Sequence, residues 1–195
     1  MRADALYCPL NRDKLFPKGG EGVNDTSYEI ERKFLIGFPD LDWLSRAAEK
    51  TEIVQTYLSD DGSGFTERVR KRGKDGVFTY THTRKKRVNA RRRVELEEEI
   101  SREDYERLLR RADPTRRTIE KTRYCLYENG KLFEIDVFPF WQKQAFLEIE
   151  LNDEEERFLW PEQLRCLREI TEDKRYTNAA LALKIPEEDE RRTEL

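Results

Sequence analysis

The sequence holds a single histidine, His82, and three cysteines, Cys8, Cys125 and Cys166, none in CxxC spacing. That scarcity, with no CxxC pair to anchor such a set, argues against a His/Cys zinc site. An odd cysteine count also fits reduced thiols better than a disulfide framework. No apolar run approaches the ~20 residues that cross a bilayer as a helix, and the N-terminus lacks the apolar core of a signal peptide. The expectation is therefore a soluble cytoplasmic chain with no membrane partner. Charge of one sign is missing too: 38 Lys and Arg oppose 41 Asp and Glu, a net charge of -3. Nucleic-acid binders usually carry a basic excess, so that partner is disfavoured, although Arg84, Lys85, Lys86, Arg87 and Arg91, Arg92, Arg93 are locally basic.

Charge of both signs is abundant, at 41% of residues against the roughly 25% usual in globular chains. Such a load permits disorder, but 11% aromatic residues and clear apolar periodicities argue for a packed fold. A length of 195 residues favours one domain. Residues 1–26, with Pro9, Pro17, Gly19, Gly20 and Gly22, read as an N-terminal extension. Residues 27–185 read as the folded domain, and 186–195 as a polar tail expected to fray.

Within the domain the apolar period is mostly two, which marks strands. Candidate strands cover 28–36, 53–59, 65–72, 77–86, 92–100, 118–128, 131–138 and 145–151, with a hairpin signal at Asn129-Gly130. Helices are expected after Asp40, after Ser101 (over 105–112), from Pro161 with Leu164, Leu167 and Ile170 on one face, and over 176–183.

Divided by parity, the strands separate apolar from charged residues. Leu147, Ile149 and Leu151 oppose Glu148 and Glu150; Phe133, Ile135 and Val137 oppose Glu134 and Asp136. Tyr28, Ile30 and Phe34 oppose Glu29, Glu31 and Lys33; Leu96 and Ile100 oppose Glu95, Glu97 and Glu99. Arg68, Arg70 and Arg72 share one face, as do Lys121 and Arg123. Solvent-facing strands would be the ordinary reading. Clusters of one sign, with helices available to cover the apolar faces from outside, favour the other: an α+β fold built on a closed eight-stranded antiparallel β-barrel, its charged faces turned into a tunnel and its helices flanking it. Adjacent carboxylates are hard oxygen ligands for Mg²⁺ or Mn²⁺, and Arg and Lys clusters bind phosphate oxygens. Together they describe a site for a metal–polyphosphate complex. His82 falls on the opposite face, with Phe78 and Tyr80. Trp43, Trp141 and Trp160 are expected to pack helices or loops, the alternative for Trp141 being contact with an organic moiety of a substrate near the tunnel mouth.

The same residues resemble a known family. Glu29-Ile30-Glu31-Arg32-Lys33 is similar to the ExExK signature of CYTH domains, the triphosphate tunnel metalloenzymes. Arg68-Val69-Arg70 resembles the family's RxR, Thr83-Arg84-Lys85 its TxK, and Glu95-Leu96-Glu97 the ExE that follows. Lys121-Thr122-Arg123-Tyr124, Glu134-Ile135-Asp136-Val137-Phe138, Glu148-Ile149-Glu150 and the segment 171–178 follow in the family's order, so that the likeness spans about 27–183.

The resemblance implies an eight-stranded tunnel for a triphosphate-containing small molecule. It implies metal ligation by Glu29, Glu31, Glu148 and Glu150, with Asp136, Glu95 and Glu97 close to the cations. Lys33, Arg68, Arg70, Lys85, Lys121, Arg123 and Arg175 would grip phosphate, and Lys33 would also serve catalysis. Glu148 and Glu150, with their Mg²⁺ or Mn²⁺, would orient the attacking water. The expected reaction is metal-dependent hydrolysis of inorganic triphosphate to pyrophosphate and phosphate. An adenylyl cyclase, a nucleoside or thiamine triphosphatase of the same fold, and a non-catalytic polyphosphate or nucleotide binder are the alternatives. No motif decides whether the chain forms a homodimer.

Overall fold

The computed structural model of the protein describes residues 30–87 and 93–188. Its strands are β1 (Ile30–Gly37), β2 (Glu49–Tyr57), β3 (Thr66–Lys74), β4 (Val77–Arg87), β5 (Arg93–Glu99), β6 (Ile119–Glu128), β7 (Lys131–Val137), β8 (Gln144–Leu151) and β9 (Cys166–Glu169). Its α-helices are α1 (Leu41–Ala47), α2 (Arg102–Leu109) and α3 (Asn178–Leu183), the last preceded by a 3-10 turn over Lys174–Tyr176. The strands form one antiparallel sheet in the order β5-β4-β3-β2-β6-β7-β8-β1-β9.

Two turns set the hairpin registers. Asn129 and Gly130 both take positive φ, 52° and 74°, the mirror-image turn whose twist suits a two-residue hairpin. Asp75 and Gly76 do the same between β3 and β4, at 53° and 82°. The helices begin on side-chain caps: Asp40 accepts from the Asp42 and Trp43 amides, and Ser101 from the Asp104 amide.

Parity then sorts the two faces. Outward-facing Phe34, Ile36, Phe133, Ile135, Leu147 and Ile149 form one core with Leu44 of α1 and Leu164. Val69 on β3 and Leu58 pack with Tyr105 of α2 in a second. A third core lies on the inner face. Leu35, Ile119, Phe138 and Phe146 continue the inward parity of Lys33, Lys121, Asp136 and Glu148, and they pack with Trp141, Ile170, Tyr176 and Leu181. One end of the sheet's interior is thus filled by an apolar plug, and the remainder of the inner face is charged.

The closed eight-stranded barrel is not what the sheet forms. Among the described residues the sheet has nine strands and no ladder joins β5 to β9, so it is open along that seam. The ninth strand replaces the helix expected from Pro161. Leu164, Leu167 and Ile170 do turn toward apolar cores, but backbone pairing of 166–169 with the edge of β1 outweighs their helical spacing. The Ser101-capped helix also begins earlier than expected. The start of the polar tail is docked: Trp141 Nε1 donates to the Pro186 carbonyl at 3.2 Å, and Glu188 accepts from the Gln142 and Lys143 amides at 2.5 and 2.7 Å. No helix among the described residues is long and apolar enough to cross a membrane.

Phe133 is fully buried in the outer core. Phe133→Ala should cost about 3–5 kcal/mol in denaturant-induced unfolding; a loss below about 1 kcal/mol would contradict the packing described.

Candidate active site

Both ends of the sheet contribute to one cavity of ≈ 900 Å³. Eight cationic and seven acidic side chains line it. The wall made by β1, β8 and β7 carries Glu31, Lys33, Glu148, Glu150 and Glu134; β6 supplies Lys121 and Arg123. Across the cavity stand Arg68, Arg70 and Arg72 of β3, Lys85 of β4, and Glu95 and Glu97 of β5. This placement follows from strand alternation: once the outer face is spent on the apolar cores, the opposite parity points inward.

The charges are tied together by direct contacts. Glu148 lies between Lys33 Nζ at 2.7 Å and Arg123 Nη2 at 2.6 Å. Arg123 also donates to Glu134, and through Nε and Nη2 to the two carboxylate oxygens of Asp136, at 2.7 Å each. Lys121 donates to Asp136 as well. On the far wall Lys85 pairs with Glu95 at 2.8 Å, Thr83 Oγ1 donates to Glu97 at 2.6 Å, and Arg68 stands 3.9 Å from Glu97.

Charge balance is uneven inside this set. Arg70 is lowered to about 10, first by burial and next by Arg68, with Arg123 and Arg72 adding to the crowding. The Lys121 ammonium is lowered to about 8, burial outweighing its bond to Asp136. The buried Nε groups of both Arg68 and Arg70 have no hydrogen-bond partner among the described residues. Buried donors of this kind are costly unless something accepts from them, and an anion with several oxygens meets that need. Asp136 behaves oppositely: burial pushes its carboxyl up, but Arg123 and Lys121 outweigh burial and hold it well below the ordinary range. Burial and Asp136 raise Glu148, yet Lys33 and Arg123 bring it below its ordinary value.

The residues singled out in the sequence fall into three groups. Glu31, Lys33, Arg68, Arg70, Lys85, Glu95, Glu97, Lys121, Arg123, Glu148 and Glu150 line the one cavity. Asp136 and Arg175 do not. Asp136 is fully buried beneath Lys121 and Arg123, with both oxygens engaged. Arg175 is exposed and bonded to Asp173 at 2.6 Å, drawn away by the neighbour two residues back. Glu29 lies outside the described residues. Trp141 packs within the apolar plug, 2% exposed, as the packing reading expects. His82 is on the outer face, bonded to the buried Glu67 at 2.9 Å. The charge pattern passes over Gln55 and Tyr57. Gln55 is buried beside Arg70 and Tyr57 lines the cavity, and assigning inward parity to β2, as to its neighbours, is the signal that finds both.

Among the described residues no three acidic side chains already form a metal cage. The donor set nevertheless fits a hard divalent cation. Glu31, Glu134, Glu148 and Glu150 share one wall, and Glu31 is raised to about 7, first by burial and next by Glu148, with Lys33 and Arg123 opposing. Carboxylates held close together against repulsion are stabilised by a cation, and Mg²⁺ commonly takes one or two carboxylates with phosphate oxygens and water completing its shell.

Glu31 yields a pH prediction. A carboxyl raised from 4.5 to about 7 holds its proton more tightly folded than unfolded, so stability falls as pH climbs through that window. Glu31→Gln abolishes the titration. In metal-free buffer the stability of the variant relative to the unaltered protein should rise from pH 4.5 to about 7 and then level off; a difference independent of pH would refute the shift.

The CYTH domain family model matches residues 27–175. An inorganic triphosphatase of Nitrosomonas europaea (strain ATCC 19718 / CIP 103999 / KCTC 2705 / NBRC 14298) is 35% identical over 163 residues, which is 81% of this chain and 99% of that protein. The crystal structure of an inorganic triphosphatase is 33% identical with a TM-score of 0.59, covering 86% of this chain and 100% of that one. A crystal structure described as that of a hypothetical protein is 34% identical with a TM-score of 0.58, over 82% of this chain and 100% of its own. The ordered charged strands, the inward-facing cavity and these matches together place the chain in the CYTH domain family.

Proposed function

We propose that the chain is a metal-dependent triphosphatase that converts inorganic triphosphate to pyrophosphate and phosphate inside the charged cavity. The observation that carries this reading is the opposition of an acidic wall and an arginine wall around one space, with buried guanidinium N–H groups of Arg68 and Arg70 left to donate. The similarity to an inorganic triphosphatase over nearly that protein's whole length supports it. In this reading the rolled sheet serves as a tunnel. The polyanion meets β1, β8, β7 and β6 on one side and β3, β4 and β5 on the other, and residues 170–179 contribute lining near the seam.

Lys33, Arg68, Arg70, Lys85, Lys121 and Arg123 bind the phosphate oxygens; Arg, with its planar fork, can engage two at once. Glu31, Glu148 and Glu150, with Glu29 preceding them in sequence, hold the divalent ion. Bound there, Mg²⁺ or Mn²⁺ would neutralise charge on the triphosphate and make an adjacent water more acidic. Lys33 and Arg123, bonded to Glu148 in this structure, turn to phosphate when substrate arrives. Glu148, kept ionised by those neighbours, suits ligation. Glu150, solvent-accessible on the same strand face, orients the attacking water and takes its proton. The water oxygen bonds to the terminal phosphorus as the anhydride P–O bond breaks. The electron pair leaves on pyrophosphate, and Lys and Arg neutralise it. Asp136 and Arg175 take different parts from those the family resemblance implies. Asp136 positions Lys121 and Arg123, and Arg175 braces Asp173 at the cavity rim.

The test is phosphate release from inorganic triphosphate, ATP, GTP and thiamine triphosphate, with Mg²⁺ or Mn²⁺ and with chelator. Release from inorganic triphosphate that vanishes with chelator is the expected result; preference for an organic triphosphate, or cyclic nucleotide from ATP, would overturn the substrate assignment. Glu150→Ala should lower kcat by about 10²-fold or more and keep most of the affinity. Unchanged turnover would remove Glu150 from the mechanism.

A further inference from the structure

β1 is gripped unequally along its two edges. Its ladder with β8 runs the whole length of the strand and sets Lys33 opposite Glu148. Its ladder with β9 is shorter: Ile36 pairs with Cys166, Leu35 with Arg168 and Phe34 with Glu169, where β9 ends. The next residue along β1 is Lys33, and its peptide is still held on that edge. Its carbonyl accepts from the Ile170 amide at 2.8 Å, and its amide donates to Thr171 Oγ1 at 3.0 Å. A side-chain oxygen takes the place of the Ile170 carbonyl that a continuing antiparallel ladder would offer. The chain is then free to turn away and run on to Asp173, Tyr176 and Asn178, which line the cavity together with Thr171 itself.

The Thr171 hydroxyl is oriented as well as placed. It lies 2.7 Å from Glu169 Oε1 and 3.5 Å from the Lys33 carbonyl. The shorter contact is to an ionised carboxylate, which only accepts, so the hydroxyl proton goes there and the oxygen's lone pairs are left for the Lys33 amide. Glu169 is fixed in turn by Arg32, through Nε at 3.0 Å and Nη2 at 2.5 Å. That bond, first among the causes, keeps the Glu169 carboxyl below its ordinary pKa. The Arg32 guanidinium lies over the rings of Phe34 and Phe158, at 5.1 and 5.8 Å. Arg32, Glu169 and Thr171 therefore form a relay that runs from the outer face of β1 to the peptide of Lys33, whose ammonium is 2.7 Å from Glu148.

We propose that Thr171 is the positioning residue of Lys33: its hydroxyl, oriented by Glu169 and Arg32, fixes the Lys33 peptide on the β9 edge, so that only the side chain moves when the ammonium leaves Glu148 for phosphate. The inference rests on the triphosphate site proposed above and deepens it. Among the described residues Arg32 and Glu31 have a ladder partner on the β8 side alone, so Lys33 is the last point at which β1 is held from both sides. Without the hydroxyl its amide would bond to water, and the strand would loosen at the residue that aims a charge. Misplacing a reacting group costs rate steeply. Thr171 is exposed, and a single hydrogen bond there adds little to stability.

The test is turnover of inorganic triphosphate with Mg²⁺ by Thr171→Val, which keeps the shape of the side chain and removes the hydroxyl. Its kcat should fall about tenfold, with the thermal midpoint within about 3 °C of the unaltered protein. Thr171→Ser keeps the hydroxyl and should restore most of the rate. Glu169→Ala frees the hydroxyl proton and should lower kcat in the same direction. Calorimetric binding of triphosphate in chelator separates positioning from direct contact. Thr171→Val should weaken it about threefold in the unaltered background and not at all in the Lys33→Ala background, where nothing remains to be positioned. An unchanged kcat in Thr171→Val overturns the proposal. So does a Thr171→Ser variant as impaired as Thr171→Val, and so does an equal loss of binding in both backgrounds, which would make Thr171 a direct contact to the anion. An unchanged Glu169→Ala strikes Glu169 from the relay. A protein that binds triphosphate without hydrolysing it would refute the triphosphatase reading and leave the comparison of the two backgrounds to decide this one. An active protein with an unaffected Thr171→Val would refute only this one, and a protein that fails to bind triphosphate overturns both.

Discussion

Asp136 is the carboxylate on which the enclosed charges depend. It has no solvent exposure, and it accepts from Lys121 and from two nitrogens of Arg123. Arg123 then holds Glu134 and Glu148, and Glu148 holds Lys33. One buried negative charge thereby links β6, β7, β8 and β1. Removing a partner from such a network usually costs about 3–5 kcal/mol, because the remaining charges stay buried and unpaired. Here the remaining charges would be Lys121 and Arg123, two like charges on one strand face. In the proposed site, phosphate meets cations that are held in place before it arrives, and Asp136 is what holds them.

The apolar cores make that arrangement possible. An amphipathic sheet normally turns its charged face to water. In this protein α1, α2 and the segment around Leu164 cover the outer apolar face, so the charged face can turn inward. Leu35, Ile119, Phe138 and Phe146 then fill one end of the interior. The same strands carry both functions in succession: Lys33 precedes Leu35, and Phe146 precedes Glu148. Two residues of chain separate plug from site, and the cation of Lys33 lies 4.1 Å from the Phe146 ring.

Much of this is legible in the amino-acid sequence. Period-two alternation locates all of the first eight strands. Parity assigns Glu31, Lys33, Arg68, Arg70, Lys121, Arg123, Glu148 and Glu150 to inward faces, and the fold brings all of them to one cavity. What escapes is set by tertiary pairing or by neutral residues. Leu164, Leu167 and Ile170 have helical spacing, but the free edge of β1 captures 166–169 as a strand. Closure of the barrel depends on whether β5 reaches β9, and no local pattern encodes that contact. Parity shows that Asp136 points inward but not that two cations cover it. Gln55 and Tyr57 carry no charge, so the charge pattern passes over them, and only the inward parity of β2, which sets them opposite Arg70 and Arg68, marks their place.

The most direct test of the account is a crystal structure of the protein with inorganic triphosphate and Mn²⁺, read by anomalous scattering. The account predicts triphosphate lying between the β3 arginines and the β1–β8 wall, with Mn²⁺ signal beside Glu31, Glu148 and Glu150. Triphosphate or Mn²⁺ bound elsewhere, with Lys33 and Arg123 still paired to Glu148, would contradict it.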